Sequence, residues 1–213
     1  MTFAELQTEV FRRLDEDSSD PTFWSLADVK EALNDGYEEI SDASEWYETD
    51  SPIDLVASQV YYDLTSVLGS NTILSPKGIF NTTTEQWLDF TTDRDMDAEM
   101  LQWEIVDGEP QKCLLRGLWW LGLFPRPDSA TPRAVRVYYS ALPAPLVDGG
   151  DLPGFPEEFQ YGLVHFAVGD LLAAERSTEK ALGHFAEYGG YAARLTKYVQ
   201  GRIAVDRITR LHG

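Results

Sequence analysis

Apolar residues recur at three- and four-residue steps from the start of the chain, with Phe3, Leu6, Val10 and Leu14 on one helical face. Thr2 and Glu5 have the spacing of a capping box, in which each side chain accepts from the other residue's backbone N–H. Together they predict a helix from Phe3 to about Leu14, and the polar stretch from Asp15 to Pro21 ends it. A second helix starts at Ser25, with Asp28 at its third position. It runs to about Trp46 through Leu26, Val29, Leu33, Tyr37, Ile40 and Ala43. Its other face carries Glu31, Asp35, Glu38, Glu39 and Asp42. Like charges one turn apart cost a helix about 0.2–0.5 kcal/mol per pair, so packing of the apolar face has to outweigh them.

From about Glu48 the pattern turns to short runs of β-branched and aromatic residues separated by Gly, Pro, Asn and Asp. Strands are expected at Ile53–Ala57, Gln59–Leu64, Cys113–Leu118, Trp120–Phe124 and Arg133–Ser140, with Asn81-Thr-Thr in a polar loop. Trp119 and Trp120 lie between Gly117 and Gly122, ahead of Phe124-Pro-Arg126-Pro-Asp. That arrangement reads as a hairpin arm, or as a strand closing on a proline-stiffened turn. Its rings are either ordinary core or an aromatic contact surface for a neighbouring subunit.

Beyond a Pro/Gly stretch from Pro143 to Pro156, helical spacing returns at Phe159, Leu163, Phe166, Ala167, Leu171 and Ala174. Few charges interrupt it, so this helix belongs at the centre of a core. A last helix begins near Ser177 and continues through Ala181, Phe185, Tyr188, Ala192, Leu195, Val199 and Ile203. Gly189-Gly190 and Gly201 are places where it can bend or stop. The expected fold is α+β: a helical bundle core of about four helices with an inserted small β-sheet or hairpin region. Residues 1–48 and 154–213 form the helical core, and 49–153 form the β-rich insertion.

Composition adds direction. At 213 residues and 43% hydrophobic the chain is globular, and its net charge of −19 argues against a free-standing binder of nucleic-acid backbones, which needs a basic face. Residues 1–100 hold 23 acidic and 5 basic side chains, whereas 101–213 hold 13 and 12. Either the two halves meet different surroundings, or the host is salt-adapted and the acidity carries no functional meaning. The last twenty residues reverse the sign: Arg194, Lys197, Arg202, Arg207 and Arg210 face only Asp206. There is no basic and then apolar leader and no apolar run of membrane-spanning length, so a soluble, unprocessed intracellular product without a membrane partner is expected.

Reagents for catalysis are few. The single Cys113 sits in an apolar strand reading, and His165 and His184 fall among apolar helical neighbours, where core or inter-helix histidines are the ordinary outcome. The string Asp93-Arg-Asp95-Met-Asp97, with Glu104 at the twelfth position, has the acidic spacing of an EF-hand loop. It carries Ala98 where the sharp turn needs glycine, and so reads as a solvated acidic loop. No phosphate loop, zinc motif or nucleophile elbow is present. No catalytic activity, metal or cofactor is expected.

The order of features nonetheless resembles a known family. Met1-Thr-Phe-Ala-Glu-Leu-Gln, Asp20-Pro-Thr-Phe-Trp24 and Val29-Lys…Leu33-Asn-Asp-Gly-Tyr37 are similar to the amino-terminal helices of tailed-phage head–tail adaptor (connector, neck) proteins. So are Gly108-Glu-Pro110, Leu121-Gly-Leu-Phe-Pro125-Arg-Pro127, Tyr138-Tyr139, Leu152-Pro153 and the two closing helices. The resemblance implies a structural virion protein of the long form with a β insertion, made in the host cytoplasm and placed in the neck. It implies a homo-oligomeric ring, dodecameric in that family, beneath the portal protein. Tail, nozzle or stopper proteins attach below, and double-stranded DNA passes through without sequence-specific binding. On that view the carboxyl-terminal segment, Arg202, Ile203, Val205, Arg207, Ile208, Arg210 and Leu211, docks on the portal. Glu31, Asp35, Glu38, Glu39 and Asp42 line the DNA lumen, and Trp119, Trp120, Phe124 and Arg126 meet a subunit or the tail. An acidic stand-alone protein that imitates DNA, in anti-restriction or regulation, is the alternative that the acidic first half raises. A calcium-dependent hydrolase rests only on the Asp93–Glu104 string.

Overall fold

A computed structural model describes residues 1–67, 73–117, 119–175 and 177–211, without the side chains of 67, 73, 74 and 203–211. Among the described residues the fold is α+β, with six α-helices and two four-stranded sheets. It divides into a unit made of Met1–Tyr47 and Leu142–Gly213 and a second unit, Glu48–Ala141.

The helical unit contains α1 (Phe3–Arg13), α2 (Leu26–Ser44), α5 (Glu157–Ala174) and α6 (Thr178–Leu211). The expected capping box of α1 forms, and α2 has one as well. The Thr2 hydroxyl accepts from Glu5 N and the Glu5 carboxylate from Thr2 N, and Ser25 and Asp28 repeat the exchange. Phe3, Leu6, Val10 and Phe11 of α1, Val29, Leu33, Tyr37 and Ile40 of α2, and Leu163, Val164, Ala167 and Val168 of α5 share one buried cluster with Tyr188 and Leu195 of α6. Glycine permits the closest approaches: a Cβ on Gly36 would lie 2.8 Å from the Phe166 ring, and one on Gly162 would lie 2.8 Å from Tyr191 Cβ. α6 runs through Gly189, Gly190 and Gly201 as one helix, without the bend or stop that those residues suggested.

The segment from Leu142 to Pro156 belongs to this unit. Asn34 brackets Leu146, with Nδ2 donating to its carbonyl at 3.0 Å and Oδ1 accepting its N–H at 2.8 Å. Phe3 N donates to Asp151 O and Ala4 N to Gly149 O, while the Asp151 carboxylate accepts from Val147 N and Asp148 N.

In the second unit one sheet has the order β1-β8-β3-β4. β1 (Glu48–Leu55) and β3 (Ile73–Asn81) flank β8 (Thr131–Ala141), both antiparallel, and β4 (Gln86–Trp87) pairs with the end of β3. The other sheet has the order β2-β7-β6-β5, with β2 at Tyr61–Asp63, β7 at Trp120–Phe124, β6 at Lys112–Arg116 and β5 at Asp89–Phe90. α3 (Leu64–Val67), α4 (Asp93–Glu99) and a 3-10 turn at Trp103–Ile105 complete it.

Several boundaries differ from expectation. The first strand is Glu48–Leu55 rather than Ile53–Ala57, and the run at Gln59–Leu64 is a three-residue strand passing into α3 at Leu64. β3 was not anticipated: its pairing with β8 shifts register between Ile73 and Ser75 and between Pro76 and Gly78, which accommodates residues that otherwise read as breakers. Asn81 is buried at the end of β3. Its amide donates to Pro110 O and accepts from the N–H groups of Thr83 and Thr84.

Candidate functional site

The helical phase of α2 puts Glu31, Asp35, Glu38, Glu39 and Asp42 in solvent, opposite the buried Val29, Leu33, Tyr37 and Ile40. None of the five carboxylates forms an ion pair with a described residue. Their fields reach inward. The Asp170 carboxyl lies above its ordinary range, first through burial and then through the charge of Asp35, and burial and then Glu39 push the Tyr188 hydroxyl up.

At the carboxyl-terminal end, Arg202 is exposed, with its guanidinium 5.9 Å from the Tyr198 ring. The side chains of Ile203, Val205, Arg207, Ile208, Arg210 and Leu211 lie outside the described residues. Upstream on α6, Arg194 and Lys197 are also exposed, so the described part of the basic stretch faces water.

The Trp119–Arg126 group divides. β7 pairs antiparallel with β6, joined through a turn in which Gly117 takes φ +64°. Alternation along β7 leaves Trp120 exposed and buries Leu121 and Leu123. Trp119 is half-buried, its carbonyl accepting from Leu64 N. Phe124 meets Trp103 edge-on, ring centroids 6.2 Å apart, beside Met96 and Leu114. Arg126 closes a 2.6 Å contact on Asp107, which raises the guanidinium pKa and holds the carboxyl below its usual range.

The acidic string at Asp93–Glu104 is not an open loop. Thr92 caps α4, with its hydroxyl accepting from Asp95 N, and Asp93 and Asp95 sit in the first turn, where the helix dipole favours negative charge. The carboxylates are held by protein donors: Asp93 by Arg116 at 2.7 Å, Asp97 by Trp103 Nε1 at 3.1 Å, Glu99 by Lys112 at 2.6 Å, and Glu104 by the Tyr61 hydroxyl and, at 3.8 Å, by Arg116. In place of a calcium loop the string forms a capped helix and a 3-10 turn whose carboxylates have protein partners. Burial, and next the Asp89 charge, push the Cys113 thiol up to about 12, so it stays a neutral core group. Sequence reasoning missed the grouping of Tyr61, Arg116, Asp93 and Glu104, with the Arg116 guanidinium 4.4 Å from the Tyr61 ring, because its members come from four separate elements. No local spacing signals it.

The molecule thus presents rows of charge and isolated exposed rings, carried on helices and short sheets. Among the described residues no set of three metal donors converges, and no helix is long and apolar enough to cross a membrane. The family model described as SU10 adaptor protein matches residues 1–210, and the chain belongs to that family. It is a structural phage protein family and not an enzyme family, and membership implies interaction with phage portal and tail proteins and a place at the virion neck. No curated protein matches the chain.

Proposed function

We propose that copies of this chain close into a ring, dodecameric by the family resemblance, that joins the portal to the tail and lets double-stranded DNA through. The bundle of α1, α2, α5 and α6 forms the body of each copy, with the β-rich region inserted between its halves. The five exposed, unpaired carboxylates of α2 carry this reading. Glu31, Asp35, Glu38, Glu39 and Asp42 line the lumen. Phosphates bind basic walls with salt-sensitive affinity, whereas an acidic wall leaves a passing duplex free to slide. The Arg202–Leu211 segment docks on the portal, its arginines interleaved with Ile203, Val205, Ile208 and Leu211. Trp120, at the start of β7, meets the next copy or a tail component.

Particles carrying Glu38→Lys and Glu39→Lys should eject DNA slowly or incompletely. Ejection and infectivity at the parental level would place α2 on the outside of the ring. Truncation after Gln200 should abolish pull-down by the portal encoded in the same genome, and retained binding would reject the docking assignment. A small free particle that binds a DNA-directed enzyme, with no ring on portal particles in electron micrographs, would favour the DNA-mimic reading instead.

A further inference from the structure

His165 of α5 and His184 of α6 face each other with their Nδ1 atoms 3.2 Å apart and their ring centroids 5.3 Å apart. They line an open cavity of about 410 Å³ together with Arg13, Asp15, Lys180 and Glu187. Gly169 lets the helices approach: a Cβ there would lie 3.3 Å from His184 Cβ. Burial, and next the Arg13 guanidinium, hold both imidazoles below the ordinary histidine value of 6.5, so the rings are neutral at pH 7. Two neutral rings so placed share one proton, one nitrogen donating and the other accepting.

That spacing suits a second occupant. A tetrahedral zinc ion held by imidazoles at about 2.0–2.1 Å needs its nitrogens about 3.3 Å apart. The nitrogen separation therefore matches one edge of such a site. Glu187 lies three residues after His184, on the same face of α6 and in the same cavity. Two histidines and a carboxylate are a transition-metal donor set with room left for solvent. Arg13 and Lys180 oppose a cation, but Arg13 is paired with Glu9 at 3.1 Å, and Asp15 and Glu187 balance the remainder.

We propose that His165, His184 and Glu187 bind a divalent transition cation, with Zn²⁺ as the fitting ion, and that the ion ties α5 to α6. No three donors converge among the described residues of the free protein, so Glu187 swings toward the pair on binding and water takes the remaining position. Each neutral imidazole gives the ion its Nδ1 lone pair and keeps its one proton on Nε2, so the proton between the two Nδ1 atoms is relocated and none is released. This inference rests on the helical unit alone and is independent of the ring.

The test is titration of the tag-free full chain with Co²⁺, followed by visible absorption, with Zn²⁺ competing. The wild type should give the intense bands of tetrahedral cobalt. His165→Gln and His184→Gln should abolish the bands, Glu187→Gln should weaken binding about tenfold, and His212→Gln should leave it unchanged. Absent bands, bands that survive His184→Gln, or bands lost in His212→Gln would overturn the assignment. Should the histidine variants fail to fold, exposed Glu187 decides: unchanged affinity in Glu187→Gln rejects the site.

Discussion

α5 and α4 are both helices, yet they are held in place by different forces. α5, at the centre of the helical unit, buries Phe159, Leu163, Val164, Phe166, Ala167, Val168 and Leu171. α4, in the sheet unit, buries only Met96 and is tied down by contacts at its rim, from Asp93 to Arg116, from Glu99 to Lys112 and from Asp97 to the Trp103 indole. Buried volume sets the position of the first, and charge and hydrogen bonding set the position of the second. The two should therefore respond to different perturbations, α5 to lost methylenes and α4 to salt.

The sharpest contrast is expected at Leu163, which is fully buried. Leu163→Ala should destabilise the helical unit by about 3 kcal/mol in urea unfolding followed by circular dichroism, with little dependence on ionic strength. A loss below about 1 kcal/mol would mean that the core collapses around the gap. Asn34→Ala removes both hydrogen bonds to Leu146 and leaves that segment's N–H and C=O to find water, which should cost about 1–3 kcal/mol in the same assay. Arg116→Ala, by contrast, strips a half-exposed ion pair, so the sheet unit should lose less than about 1 kcal/mol, and the difference should shrink further in high salt.

The smallest effect is a pH response of the helical unit. His165 and His184 have folded-state pKa values below 6.5, so the unfolded chain takes up their protons first as pH falls. The stability they contribute is present above about pH 6.5 and declines below it. Around them stand Arg13 and Glu9 of α1, Asp15 just beyond it, and Lys180 and Glu187 of α6. Metal-free urea midpoints from pH 7.5 to 5 should fall more steeply for the wild type than for the His165→Gln, His184→Gln double variant. Parallel curves would remove the pair as the cause.

Local rules placed α1, α2 and α5 within a few residues, since Thr2/Glu5 and Ser25/Asp28 cap within one turn and the apolar period needs no distant partner. The acidic row of α2 was legible for the same reason: once the helix is phased, its outer face is determined. β7 was equally plain, bounded by Gly117 and Pro125. β3 was not, because Pro76 and Gly78 are tolerated only where its pairing with β8 slips. α4 was hidden by its own charges, which read as a solvated loop until Thr92 and the buried Met96 give it an end and a face. The same limit applies to surfaces. Trp119, Trp120, Phe124 and Arg126 are neighbours in sequence, but strand alternation and the Asp107 contact send them different ways. His165 and His184 meet only through the register of two helices.

Asn34 and Leu146 are 112 residues apart, and their mutual hydrogen bonds have a consequence during synthesis. α1 and α2 are complete long before α5, their main packing partner, leaves the ribosome. At about 5–20 residues per second the interval is roughly 5–20 s. For that time the apolar faces of two helices wait without their main partner while the intervening strands are made. The carboxylates of α2, whatever they do in the finished particle, also keep nascent chains apart through mutual repulsion, so neutralising them should lower the soluble yield of newly made protein even where the mature fold is unharmed.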